Sequence, residues 1–453
     1  MRLLPSIIIA LGMAHAAAGS AAAQAPLRLA EALARADRAG YANRIAAAAT
    51  AVQAGQALAP LRGILPTLRL ESGYLRTTDP LNAFGFTLRE RKVTPAAFAP
   101  ASLNDPEAVG SLMTGVVVEQ PIFNADAWLG RKAAVSAREA ASASERWTRG
   151  TTAFEVYQAY FGAVLATEQV HTLDVALNAA RAHVRQAEAM VRQGMATRSD
   201  ALLASVKAGE IEAMLLKAAS DAALAKRGLA VLMGDPADTA FSLPDSLPPG
   251  ERVRALAATV DADSAAPMAR ADVVAADRAR EAATADARRA QALYLPRLNG
   301  FGRIDWNTPR TPFGGKSSWT IGVMLAWSPF AGASELAEIR SASGRKASAG
   351  AMAEAARAGA SLELARARDA ETLALARLEI AERGAVQARE AHRIVARKYE
   401  GGLASVTELF DAAAAETSSD LACSAARYDA IVAAAQGQRA AGRDLSAIPE
   451  LEN

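Results

Sequence analysis

SSWTIGVMLAWSPF, residues 317–330, alternates large apolar side chains with small or polar ones. Trp319, Ile321, Val323, Leu325 and Trp327 fall on one face, and Thr320, Gly322, Met324, Ala326 and Ser328 on the other. A period of two is that of a strand. An indole at each end of the apolar face suits a strand that crosses a bilayer, where aromatic side chains sit at both interfaces. From Trp319 to Trp327 such a strand covers about 26 Å along its axis, or roughly 20 Å of bilayer at a tilt of about 40°. The competing reading is a half-buried strand of a soluble sandwich.

Three further stretches read the same way, so the expected strands are 66–77, 112–122, 296–306 and 319–328. One face collects Leu68, Leu70 and Tyr74, then Leu112, Val116 and Val118, then Leu298, Ile304 and Trp306. The other collects Arg69, Glu71, Gly115, Glu119, Asn299, Arg303 and Asp305. Tyr74, Trp306, Trp319 and Trp327 are the expected lipid-facing belt. A soluble sandwich would need a partner sheet, and the rest of the chain reads as helix.

The strands belong to a unit written twice. Leu65-Pro66-Thr67-Leu68 returns as Leu295-Pro296-Arg297-Leu298, and Phe123 closing VVVEQPIF corresponds to Phe330 closing LAWSPF, a shift of 207. QGMATRSDALLA at 193–204 matches GGLASVTELFDA at 401–412, a shift of 208. Coincidental matches would not share one shift. Between each closing phenylalanine and each tip glycine runs alanine-rich, charge-dotted sequence without proline, read as a helix of about 105 Å if unbroken. Gly150, Gly162, Gly344 and Gly359 are the candidate interruptions. Gly194 and Gly401–Gly402 are placed to end each long helix and reverse the chain.

The expected plan is therefore a signal peptide over 1–25, a first repeat over 26–234, and a proline-rich connector over 235–266. A second repeat over 267–442 and a C-terminal tail over 443–453 follow. Within the repeats the helical hairpins are expected over 124–234 and 331–442, with leading helices over 27–59 and 267–293. The fold class is mainly α with a membrane β-barrel.

Residues 1–25 combine Arg2, an apolar stretch around Ile7–Leu11 and a small-residue end, the pattern of a cleaved secretory signal. Beyond it no apolar run reaches the ~18 residues of a membrane-spanning helix. The single cysteine, Cys423, excludes a disulfide within one chain. A net charge of +2 without a basic block argues against nucleic acid as partner. His171 and His183 share a helix without a carboxylate pattern between them, so no metal site is expected. With no nucleophile elbow and no glycine-rich phosphate loop, neither an enzyme nor a cofactor is expected.

Four strands cannot close a barrel, and open sheet edges in hydrocarbon leave backbone groups unpaired at several kcal/mol each. Closure must come from other copies. Two copies give eight strands with a filled interior, and three give twelve with a lumen, which the polar inner face favours.

The duplicated plan, the paired LP strand starts, the QPIFNA and SPFAGA strand-to-helix junctions and the two tip motifs together resemble the TolC-like family of outer-membrane efflux and secretion channels. The resemblance covers essentially the whole mature chain. It implies a homotrimer whose chains each give four strands to a twelve-stranded barrel, with the helices forming a tube in the periplasm. It further implies a periplasmic adaptor and an inner-membrane pump as partners, and outer-membrane lipid around the barrel. In KYEGGLASVTELFDA it implies a gate of Tyr399, Glu408 and Asp411, the two carboxylates forming stacked acidic rings in three chains. Asp200 falls where the family holds the gate closed through the tyrosine side. The family's arginine in this lock corresponds to Ala404 here, which leaves Tyr399 and Asp200 to act alone or with Arg198. The tips Gly194, Met195, Ala196 and Thr197, and Gly402, Leu403, Ala404 and Ser405, match sequences the family offers to adaptor hairpins. The alternative to this reading is a periplasmic helical scaffold or adaptor without a pore.

Overall fold

The computed structural model describes residues 26–257, 266–443 and 445. The expected signal peptide, part of the connector and most of the C-terminal tail lie outside these residues.

Two helical hairpins make the body. In the first, α5 (Ala125–Arg192) runs 68 residues and α6 (Arg198–Met233) returns beside it for 36. In the second, α9 (Ser334–Glu400) runs 67 residues and α10 (Val406–Ala440) returns for 35. Each long helix is about 100 Å from end to end at 1.5 Å per residue. Neither breaks at the glycines that marked possible interruptions. A Cβ at Gly150, Gly344 or Gly359 would meet nothing within 4 Å, and at Gly162 it would only touch Tyr428, at 3.7 Å.

The leading helix expected over 27–59 is instead two, α1 (Leu29–Ala39) and α2 (Tyr41–Gln56), parted by Gly40. Gly40 takes an extended conformation, φ −55° and ψ 132°, and its Cβ position lies 2.5 Å from the Ala36 carbonyl oxygen and 3.3 Å from that of Leu232. The bend brings the end of α1 against the end of α6. There Gly234, at φ +83°, sits with its Cβ position 2.4 Å from the Ala39 carbonyl oxygen. Only glycine fits that close approach in a left-handed conformation.

Between α2 and α5 lie β1 (Thr67–Thr77), the short helices α3 (Pro80–Arg89) and α4 (Pro100–Asn104), and β2 (Val109–Phe123). The second repeat follows α7 (Gly250–Ala257) with α8 (Ala271–Ala292), β3 (Arg297–Thr308) and β4 (Ser317–Ala326). The connector thus contains a helix, and the first strand loop contains two, none of them among the expected elements.

The main core lies where the hairpins and α1 converge. Val156, Tyr157, Tyr160 and Phe161 of α5 pack with Leu229 and Met233 of α6, Leu378 of α9 and Ile431 of α10. The connector is drawn into this core by Leu243 and Leu247. Glu168 pins it there, accepting from the Leu247 backbone N–H at 2.8 Å, from Ser424 Oγ at 2.6 Å, and from Arg427.

The strands form one antiparallel sheet in the order β1-β2-β3-β4, so the β2–β3 pair joins the two repeats. Register keeps the faces separate: Leu68, Leu70 and Tyr74 sit opposite Val118, Val116 and Leu112, and Val116 and Ile304 continue across to Trp319. On the other face Glu71, Gly115 and Asp305 line up. Among the described residues β1 and β4 are the sheet edges.

Candidate functional site

Both hairpins turn through the same motif. At the first tip the Gly194 N–H donates to the Val191 carbonyl at 3.1 Å and the Met195 N–H to Met190 at 2.8 Å. At the second, Gly402 donates to Tyr399 at 3.0 Å and Leu403 to Lys398 at 2.8 Å. Gly194 and Gly402 have φ of +74° and +72°, the left-handed residue that closes such a helix end. Beyond the turn Thr197 and Ser405 start α6 and α10 with matching capping boxes. The Asp200 backbone N–H donates to Thr197 Oγ1 at 3.3 Å while Thr197 N–H donates to Asp200 Oδ2 at 2.9 Å. Glu408 N–H donates to Ser405 Oγ at 3.2 Å and Ser405 N–H to Glu408 Oε2 at 2.7 Å.

Thr-x-x-Asp and Ser-x-x-Glu before a helix are the sequence signature of this cap, and the sequence reading passed over it. The backbone hydrogen bonds from Thr197 and Ser405, followed by those of their hydroxyls, hold both carboxyls below their usual range. Asp411 is exposed three residues further on, and Met195, Leu403 and Gly402 are exposed at the turns.

Beneath the tips Tyr399 packs with Leu409, Phe410, Val406, Ala187 and Ala204. It is 4% exposed, and its hydroxyl finds no hydrogen-bond partner among the described residues. Burial, and then the negative charge of Asp200, raise its pKa. The hydrogen bond between Tyr399 and Asp200 implied by the resemblance is not made within the single chain. Asp200 Oδ2 is taken by the backbone and hydroxyl of Thr197, the latter at 2.8 Å, because the third residue of the helix lies within reach of its cap.

Two histidines meet just above this cluster. His183 of α5 and His392 of α9 have ring centroids 6.0 Å apart, and Phe410 of α10 stands 5.9 Å from His183. His392 Nδ1 is bonded to Glu416, and its Nε2 is buried without a partner among the described residues. The pair has no local sequence signature, because its members lie in different repeats.

Burial first, then the charge of His392, lowers the pKa of His183, against smaller opposing effects from Gln186 and Glu400. A base whose folded pKa lies below its ordinary value of 6.5 is protonated more readily unfolded. Its contribution to stability is complete above that value and is lost as the pH falls through it. Thermal melting at pH 7.5 and 5.5 should show a drop on acidification that His183→Gln reduces; equal drops in both proteins would rule His183 out as the source.

The sheet's apolar face is uncovered by the rest of the chain: Trp319 and Ile321 are each 75% exposed, and Val323 and Leu325 are similar. Tyr74 lies across Gly110, where a Cβ would come within 2.2 Å of its hydroxyl. Trp306 is half-buried edge-on against Phe313, centroids 5.3 Å apart. Trp327 departs from the expected strand, because β4 ends at Ala326. Its indole N–H donates to the Tyr294 carbonyl at 3.1 Å, at the foot of the sheet where α8 gives way to β3. Among the described residues no helix is long and apolar enough to cross a membrane.

The model of the outer membrane efflux protein family matches residues 21–235 and 264–443. The chain belongs to that family. Its fold is similar to that of the outer membrane protein VceC from Vibrio cholerae, at 20% identity and a TM-score of 0.76, over 92% of this chain and 96% of that one. CusC gives 16% identity and a TM-score of 0.78, over 92% of each chain. The Neisseria gonorrhoeae MtrE channel gives 18% identity and a TM-score of 0.74, over 92% of this chain and 89% of that one. No individually curated protein is matched by sequence.

This outer membrane efflux protein is thus an outer-membrane channel with its helical portion in the periplasm, and the reading as a pore-free scaffold is set aside. Three chains supply the four-stranded sheets that close the barrel, which covers the β1 and β4 edges.

Proposed function

We propose that this channel is the exit duct of a tripartite efflux or type I secretion assembly. An inner-membrane pump supplies the energy and a periplasmic adaptor connects it to the tips. The observation that carries this reading is the pair of matched tip turns, which stand about 100 Å from the sheet and leave Met195 and Leu403 64% and 82% exposed. An adaptor hairpin would dock on Gly194–Thr197 and Gly402–Ser405 by shape and backbone more than by charge. A photoreactive side chain at position 403 should become joined to the adaptor; products containing only copies of the channel would remove the docking.

Tyr399, Asp200, Glu408 and Asp411 form the gate in this reading. Support comes from Tyr399, whose buried hydroxyl is left unsatisfied close enough to Asp200 to feel its charge. Opening then separates the tip helices and parts Tyr399 from Asp200. Tyr399→Phe combined with Asp200→Ala should raise single-channel conductance in planar bilayers. Unchanged conductance would show that these two residues are not the lock.

A further inference from the structure

The sheet face opposite the tryptophans turns six ionisable side chains toward the interior: Arg69 and Glu71 of β1, Glu119 of β2, and Arg297, Arg303 and Asp305 of β3. Three are cations and three are anions; at the foot of the sheet Asp126, beside Arg297, and Arg62, lining the same hollow as Arg69 and Glu119, add one of each, so the count stays even. Arg69 reaches Glu119 at 3.5 Å, and Arg297 reaches Asp126 at the start of α5 at 2.8 Å. Arg303 donates to Asp305 at 2.6 Å and also approaches Glu71 at 3.7 Å.

The last contact needs a particular backbone. Glu71 and Arg303 lie on strands separated by β2, about 10 Å apart at ordinary strand spacing. The β2 residue in their path is Gly115, paired with Glu71 on one side and Asp305 on the other. A Cβ there would stand 2.7 Å from Asp305 Oδ1 and 3.2 Å from Arg303 Nη2. The bare glycine is the floor over which the guanidinium crosses.

We infer that this crossing is a charge clasp that keeps the inner wall of the barrel electrically neutral, so that Arg303 and Glu71 determine specificity by making the barrel indifferent to the sign of its cargo. The clasp is not there for stability, since half-exposed ion pairs contribute little. Its effect is on the field. Three uncompensated charges of one sign at one height of a low-dielectric wall would concentrate counterions in the lumen. Removing Arg303 leaves one unbalanced anion per chain, and removing Glu71 leaves one unbalanced cation.

The inference rests on the conduit reading, and multivalent block from the extracellular side tests it separately. Purified trimers in planar bilayers at about 0.1 M salt, where screening reaches only about 10 Å, receive hexaamminecobalt(III) or tripolyphosphate on that side. Wild type should respond weakly to tripolyphosphate, and its response to the cobalt complex, set by the tip carboxylates Glu408 and Asp411, is the baseline for the variants. Arg303→Gln should be blocked by the cobalt complex at about tenfold lower concentration than wild type, and Glu71→Gln should show the converse with tripolyphosphate. The double variant, neutral again, should return to the wild-type curves.

Should one variant fail to assemble, the other still decides the matter. Single variants that keep wild-type block curves, or a wild type already strongly blocked by tripolyphosphate, would overturn the clasp. A trimer with no conductance at all would instead overturn the conduit.

Discussion

Val323→Arg is expected to abolish the outer-membrane trimer, while Met324→Arg one residue on leaves it in place. Val323 is midway between Trp319 and Trp327 on the uncovered apolar face, and pairs with Gly300 of β3. Arginine at the middle of a lipid-facing strand costs about 2–4 kcal/mol, and the trimer carries the cost three times. Met324 pairs with Asn299 and looks to the polar side, where a guanidinium stays in water. The difference therefore depends only on which face meets lipid. Heat-modifiable trimer in outer-membrane fractions measures it, and quenching of Trp319 by brominated lipid checks the same orientation in the wild type. Normal assembly of the Val323 variant with loss of the Met324 variant would place the indole face inside the protein.

That strand was legible because lipid demands a period of two and an aromatic edge, both of which are written locally. The pairing across four strands followed from the same alternation, since a slip of one residue would have mixed the faces everywhere. Its ends were less legible. Trp327 continues the alternation, yet the strand stops before it because the indole N–H finds the Tyr294 carbonyl below the sheet. The long helices were legible from alanine and from the absence of proline, and they run through glycines that cost about 1 kcal/mol each.

Gly40 did break its helix, and the difference lies outside its own sequence: the end of α6 approaches it at Leu232. At the tips, the glycines announced the turns, and the capping boxes could have been read from Thr197-x-x-Asp200 and Ser405-x-x-Glu408. The His183–His392 pair and the crossing over Gly115 could not, because each joins residues brought together only by packing the two repeats or by strand register.

Arg270→Ala is expected to cost about 3 kcal/mol, the loss that follows when one partner of a buried charge cluster is removed. Arg270 precedes α8, and its side chain is only 2% exposed. It donates to both oxygens of Asp272, at 2.8 and 3.1 Å, to Glu363 of α9 at 2.7 Å and to the Ala440 carbonyl at the end of α10 at 3.4 Å. Its guanidinium carbon lies 4.7 Å from the ring centre of Trp147 of α5, and that of Arg439 of α10 lies at the same distance. One side chain thus ties α5, α8, α9 and α10 together at a level where the alanine-rich helices have little bulk to interlock.

Alanine would leave Asp272 without the fork and Glu363 dependent on Arg439 at 3.4 Å and on Gln436. Arg270→Lys should recover only part of the loss, because an ammonium keeps the charge but neither spans Asp272 with two donors nor lies flat on the indole. Thermal melting of the detergent-solubilised trimer should therefore rank wild type above lysine and lysine above alanine. If lysine matched wild type, net charge alone would account for the junction, and the stacking on Trp147 would carry none of it.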